Sequence, residues 1–198
     1  MRIGVLASQG AFAEHIAILH KLNVKAVPVR LPQELIGMDG LIIPGGESTS
    51  ISRLMRDYNL TAEIRNLAQN GLPIFGTCAG MILLANKISD SDLEPMRVIG
   101  VMDITVRRNA FGRQKDSFET ELSIPVLGKK PFSGIFIRAP LIEQTGRGVE
   151  VLARLADGTS VAAQQGKLLV SAFHPELTDD PRFHQYFLDI VSGHGKSG

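Results

Sequence analysis

The first half of the chain alternates between two textures. Short apolar runs at residues 2–7, 25–29, 40–44 and 73–75 are mostly β-branched and bounded by glycine or proline. Such runs predict buried strands of a parallel sheet. Between them the apolar positions take up helical period. Phe12, Ile16, Leu19 and Leu22 form one stripe, with Glu14, His15 and Lys21 off it. Ile51, Leu54, Met55 and Tyr58 form a second, preceded by Ser48-Thr49-Ser50 as candidate N-caps. Strand and helix in such short alternation predict an α/β fold with a doubly wound, mostly parallel sheet.

From about residue 97 the helical period fades. Residues 98–106, 118–124, 134–138, 149–155, 160–164 and 168–173 read as strands, with Asp157-Gly158 as a hairpin turn. They predict added antiparallel strands that extend or flank the parallel sheet. A last helix is expected at about 181–191, capped by Asp180, with Pro181 in its first turn and Phe183, Phe187, Ile190 and Val191 inward. No repeat or linker interrupts the pattern. The expectation is one domain over residues 1–192, followed by a short flexible tail at 193–198.

Composition narrows the classes. In 198 residues, 44% hydrophobic and 21% charged, there is enough apolar surface for a packed core, which excludes a disordered chain. Charges nearly cancel, at 21 Lys and Arg against 20 Asp and Glu, so nothing draws the chain generally to nucleic acid or anionic lipid. The local run Arg107, Arg108, Arg113 and Lys115 has only Phe111 interleaved, and no nucleic-acid partner is expected from it. The longest mostly apolar stretch, residues 72–85, is broken by glycines and a threonine and falls short of the roughly 20 residues a spanning helix needs. The apolar run at 3–7 is too short for a signal-peptide core. One cysteine makes no internal disulfide. Together these readings predict a soluble, cytoplasmic protein with no membrane partner.

The lone cysteine carries the first chemical signal. Gly76-Thr77-Cys78-Ala79-Gly80 follows the predicted strand 73–75 and precedes an apolar helix at 81–85, the strand-turn-helix layout of a nucleophile elbow. Small residues two positions either side let strand and helix approach, and a thiol at a helix N-terminus feels the positive end of the dipole. Taken alone, a small buried thiol explains Cys78 equally well. His174, in Phe173-His174-Pro175-Glu176, sits at the end of a predicted strand and offers a base. In extended chain, Glu176 points the same way and can hold one imidazole nitrogen while the other faces sulfur. Pro44-Gly45-Gly46-Glu47-Ser48 leaves the strand at 40–43 and lacks the Lys-Ser/Thr ending of a phosphate loop. An ordinary tight turn is its plain alternative. His15 and His20 read as surface histidines on the first helix, and His184 and His194 carry no assigned role.

In that order and spacing the three motifs resemble the class I glutamine amidotransferases. Together with Ala7-Ser8-Gln9-Gly10-Ala11, Arg108-Asn109-Ala110-Phe111-Gly112-Arg113-Gln114 and Phe136-Ile137-Arg138-Ala139-Pro140, they look like the branch that forms the glutaminase subunits of pyridoxal 5′-phosphate synthases. Ser8 departs from the leucine expected before the Gln-Gly pair. The resemblance implies a flavodoxin-like fold and hydrolysis of L-glutamine by a triad of Cys78, His174 and Glu176. It further implies an oxyanion hole from the N–H groups of Gly46 and Ala79, and a substrate pocket lined by Gly46, Glu47, Ser48, Arg108, Ile137 and Arg138. Gln9 and Gly10 would belong to partner contact and activation. The implied partner is a barrel-shaped synthase subunit that receives the ammonia; no metal or organic cofactor is implied. A glutaminase of another synthase is the nearest alternative, and segments 108–114 and 136–140 argue against it. A stand-alone cysteine hydrolase of the same fold would act without a partner, and a non-catalytic module would be expected to lose Cys78, His174 or Glu176.

Overall fold

In the computed structural model, residues 1–7, 9–89, 98–108, 110 and 117–194 are described. The predicted alternation is present: β1 (Arg2–Leu6), α1 (Phe12–Lys21), β2 (Lys25–Val29), β3 (Gly40–Ile43), α2 (Ser48–Asp57), α3 (Leu60–Gln69), β4 (Ile74–Thr77) and α4 (Ala79–Leu84). Then follow β5 (Ala85–Ile88), β6 (Met102–Arg107), β7 (Ser117–Leu122), β8 (Phe132–Ile137), β9 (Leu141–Thr145), β10 (Glu150–Arg154), β11 (Ser160–Gln165), β12 (Leu168–Ser171) and α5 (Arg182–Val191).

The main sheet runs β2-β1-β3-β4-β12-β11-β9-β6-β5, with β10 added against β11. Its first five strands are mutually parallel, and β12-β11, β11-β9 and β9-β6 are antiparallel. A doubly wound, mostly parallel half thus continues into an antiparallel extension, as the change of texture near residue 97 predicts. β7 and β8 form a separate hairpin with Ser117 opposite Ile137.

Period-two alternation along β4 divides the helices between the two faces. Phe75 meets His15 of α1 and Phe183, His184 and Phe187 of α5. Gly76, one residue on, faces α4: a Cβ there would lie 2.6 Å from the Gly80 carbonyl carbon and 2.8 Å from Leu84. A Cβ on Gly80 would sit 2.0 Å from the carbonyl oxygen of Ile43 in β3. The two glycines that flank Cys78 at a distance of two residues therefore permit the close approach of β3, β4 and α4.

Several elements differ from the pattern reading. α3, β5 and β9 are not among the expected elements: Leu60, Ile64 and Leu67 of α3 do keep helical spacing, whereas β5 is a short edge strand with Asn86 and Lys87 exposed, and the last three residues of β9 are exposed. The strand expected from residue 98 begins only at Met102. On α2 the cap is Glu47, whose carboxylate accepts from the N–H groups of Thr49 (2.9 Å) and Ser50 (2.7 Å), so Ser48, Thr49 and Ser50 fall inside the first turn. The stripe on α1 is rotated: His15, Ile18 and Leu19 are buried, while Phe12, Ile16 and Leu22 are half-buried. Residues Gly193 and His194 extend past α5, and the rest of the expected tail lies outside the described residues. Among the described residues no helix is long and apolar enough to cross a membrane.

The glycine packing yields a stability test. Gly80→Ala must displace the Ile43 carbonyl or α4 itself, and overpacking of this kind costs about 1–3 kcal/mol or more. The midpoint of urea unfolding should fall accordingly, with an unchanged slope.

Candidate active site

Thr77 ends β4 and Ala79 opens α4, so Cys78 alone makes the turn. Its backbone sits at φ 49°, ψ −103°, a region that costs a non-glycine residue on the order of 1–3 kcal/mol. The turn is pinned by its N–H donating to the Ser171 carbonyl at 2.8 Å. That bond continues the β4-β12 pairing one step past Ser171 opposite Thr77. The same pairing fixes where β12 delivers His174. The sulfur projects from the N-terminus of α4, with Ala79 as the first helical residue behind it.

His174 lies beside Cys78: both side chains pack against Gly45, and the neighbouring sulfur raises the imidazole pKa. The ring nitrogen Nδ1 of His174 lies 2.7 Å from Glu176 Oε1. Glu176 belongs to the 3-10 turn Pro175–Leu177, which directly follows His174. Strand β8 runs alongside: the Ile135 carbonyl accepts from the His174 N–H at 2.8 Å, and the Ile137 carbonyl lies 3.9 Å from the sulfur. The separate hairpin is thus a wall of the site. Gly45 packs against the imidazole, where a Cβ would fall 2.5 Å from His174 Cε1 and 3.2 Å from Cys78 Cβ. Its carbonyl accepts from Ala11 at 3.3 Å, and a side chain on Gly10 would fall 1.8 Å from the same oxygen. So the Gln9-Gly10 segment lies against the loop that carries Gly46.

The other expected site residues fall around this centre. Gly46 and Glu47 are exposed, and Ser48 is buried at the start of α2. The Glu47 carboxylate is committed to the helix cap; burial works to raise its pKa, but bonds from Ser50 and Thr49 hold it below the ordinary value. Ile137 is 39% exposed and Arg138 adopts φ 43°. Ala110 N–H donates to the Ala139 carbonyl at 3.2 Å, which joins the Arg108 and Arg138 segments. Ser8, Asn109 and residues 111–114 of the quoted motifs lie outside the described residues. Among the described residues no group of three His, Cys, Asp or Glu could hold a metal ion.

Three residues here were not singled out by pattern. His15 and His184 are both fully buried rather than surface or idle histidines, and their Nδ1 and Nε2 atoms lie 2.8 Å apart. His15 Nε2 reaches Thr77 Oγ1 at 3.3 Å and Glu176 Oε2 at 3.4 Å. Thr77 Oγ1 accepts from the Gly45 N–H at 3.0 Å. Periodicity counts histidine as polar, so it places His15 off the stripe. The retrospective signal is that His15, Ile18, Leu19 and Leu22 keep helical spacing equally well.

The electrostatics divide the histidines into two kinds. Burial disfavours charge on His174, yet hydrogen bonds to Cys78 and Glu176 and the charges of both raise its pKa to about 10. Burial first, then repulsion from His184 and His174, holds His15 well below its ordinary value. Burial alone pushes His184 down to about 3. One imidazolium therefore stands beside the sulfur, and two neutral imidazoles stand behind the carboxylate.

A family model described as the SNO glutamine amidotransferase family matches residues 5–192. The chain is 57% identical over 190 residues to a protein of Herpetosiphon aurantiacus named pyridoxal 5′-phosphate synthase subunit PdxT, covering 96% of this chain and 100% of that one. It is 56% identical over 191 residues to a protein of the same name from Moorella thermoacetica, again covering 96% and 100%. Among solved structures, one titled as a glutamine amidotransferase superposes with a TM-score of 0.90 at 49% identity, covering 96% of this chain and 98% of that chain. A putative GMP synthase subunit from Thermoplasma acidophilum shares the fold, with a TM-score of 0.67 at 18% identity over 98% of this chain and 95% of that one.

The coupling of His174 to Glu176 is directly measurable. A folded pKa of about 10, above the unfolded value of roughly 6.5, stabilises the fold fully below about pH 6.5; the contribution is lost as pH rises through the folded value. Glu176→Gln removes one of the charges that raise it. The His174 imidazole should titrate at lower pH by NMR, and the fall in stability from neutral to alkaline pH should become shallower.

Proposed function

The chain belongs to the SNO glutamine amidotransferase family, and from that premise we propose that it is the glutaminase subunit of a pyridoxal 5′-phosphate synthase. It hydrolyses L-glutamine to L-glutamate and passes the ammonia to the synthase subunit. Residues 1–192 act as one amidotransferase unit, and the setting is cytoplasmic. The observation that carries this reading is a cysteine on a strained turn at a helix N-terminus, in contact with a histidine whose far nitrogen is 2.7 Å from a buried carboxylate. The names of relatives at 56–57% identity, matched over their whole length, supply the synthase context.

The chemistry follows from the charge states. Cys78 thiolate attacks the side-chain amide carbon of glutamine, and the carbonyl electrons move onto oxygen. The N–H groups of Ala79 and Gly46 receive that oxyanion, each donor worth roughly 3 kcal/mol in comparable sites. As the tetrahedral intermediate collapses, imidazolium His174 gives its proton to the departing nitrogen, which leaves as ammonia. A thioester and a neutral imidazole remain. His174 then takes a proton from water, hydroxide adds to the thioester, and glutamate leaves as the thiolate and imidazolium are restored. Glu176 holds the ring throughout and stabilises its positive form.

Substrate recognition uses the guanidinium groups of Arg108 and Arg138, which suit the α-carboxylate of a zwitterionic amino acid. Gly46, Glu47, Ser48 and Ile137 complete the pocket; Glu47 acts mainly through the position of α2, which its carboxylate caps. Gln9 and Gly10 form the contact through which the synthase subunit acts on the Gly45-Gly46 loop. Free ammonia protonates in water, which makes direct transfer to a docked subunit chemically sensible.

Glutamate release from L-glutamine, measured with and without the synthase subunit, tests the reading. Wild type should release glutamate mainly in the complex, and Cys78→Ala should lose at least about 10⁴-fold in rate. Equal rates without the partner would favour a stand-alone hydrolase. No glutamate from a confirmed complex with reduced Cys78 would overturn the assignment.

A further inference from the structure

We propose that His15 is a positioning residue of this site, holding the second carboxylate oxygen of Glu176 through a neutral Nε2–H, and that His184 sets its tautomer. The inference rests on the glutaminase reading for its consequence in turnover, and on geometry for its existence.

Glu176 presents two oxygens to a dry interior, and its side chain is 0% exposed. Oε1 is taken by His174. Among the described residues Oε2 is buried without a close hydrogen bond, and His15 Nε2 stands 3.4 Å from it. An uncompensated carboxylate oxygen in such surroundings is strongly unfavourable. A ring nitrogen facing it must therefore carry the hydrogen, because a lone pair there would repel the carboxylate. Thr77 Oγ1, 3.3 Å from the same nitrogen, shares the donor.

That choice propagates through the ring. A neutral imidazole with hydrogen on Nε2 has an accepting Nδ1. His184 Nε2 lies 2.8 Å from His15 Nδ1 and so must donate. His184 Nδ1 is then a bare acceptor, and among the described residues it is the His184 atom left buried without a partner. The opposite tautomer would bury an unpaired N–H there and set two lone pairs against each other at Glu176. The chain His184 → His15 → Glu176 ← His174 thus has one consistent direction of donation. The ionisable groups facing the carboxylate are His174 and Cys78 from the triad side, His15 from α1 and, behind it, His184 from α5.

His15 also ties Glu176 to α1, which directly follows the Gln9-Gly10 segment. Any shift of that helix changes the donor at Oε2. An apolar residue in place of His15 fills the same volume but leaves the carboxylate easier to protonate.

The test compares wild type with His15→Leu, His15→Gln and His184→Phe in the complex with the synthase subunit. His15→Leu should lower kcat for glutamate release about tenfold with KM within about twofold, and should move the acidic limb of the pH profile to higher pH. His15→Gln, whose amide N–H reaches the same place, should return that limb towards wild type. In ¹⁵N-labelled wild-type subunit, His15 should be a single neutral tautomer protonated at Nε2; His184→Phe should mix the tautomers. An unmoved acidic limb in His15→Leu, equal impairment of the Leu and Gln variants, or a His15 proton on Nδ1 would overturn the proposal. If wild type releases no glutamate, the functional assignment fails separately. The tautomer, with the NMR titration of the Glu176 carboxyl in His15→Gln and wild type, then decides the proposal. The same pair decides it if His15→Leu does not fold.

Discussion

A carboxylate removed from water must be met by donors on every side, and the site is organised around that demand at Glu176. On one side it holds His174 in the charged form; on the other it faces a neutral imidazole from a helix at the far end of the sequence. One contact comes from the same turn and the other from α1, whose His15 is in turn held by Thr77 of β4 and His184 of α5. The electrostatic result is a charged His174 imidazole held between the carboxylate and Cys78.

Backbone packing supplies the second constraint. Ligands of open α/β sheets gather beyond the carboxyl ends of the strands, and here β3, β4 and β12 end side by side. The Gly45-Gly46 loop follows β3, Cys78 follows β4 and His174 follows β12 by three residues. Parallel pairing of β12 with β4 turns a separation of 96 positions between Cys78 and His174 into side-chain contact. Gly76 and Gly80 let the strands and α4 approach closely enough for the turn to form. The strain at Cys78 is sustained because its N–H and its neighbours are bound on both sides.

The antiparallel half of the chain builds the wall rather than the nucleophile. β8 lends one carbonyl to the His174 N–H and brings another near the sulfur. The contact from Ala110 to Ala139 brings the two arginine-bearing segments together. The strand-rich second half of the chain thus shapes the surroundings of Cys78.

The alternation of strand and helix, the change of texture near residue 97 and the elbow around Cys78 were legible from one-dimensional pattern. Apolar spacing and small-residue placement are local requirements, and they leave local traces. The pairing of His174 with Glu176 was legible too, because it spans only two positions. β5 and β9 were not, since a four-residue edge strand and a strand with three exposed residues leave little alternation; α3 was missed although Leu60, Ile64 and Leu67 keep helical spacing. Thr77, His15 and His184 were invisible for a different reason. A buried histidine is spelled like an exposed one, and its meaning depends on a partner that may be 169 positions away. The residues themselves determined which chemistry the chain could carry. Tertiary structure decided which imidazole is charged and which are neutral, because burial and the nearest carboxylate exist only once the sheet has brought distant segments together.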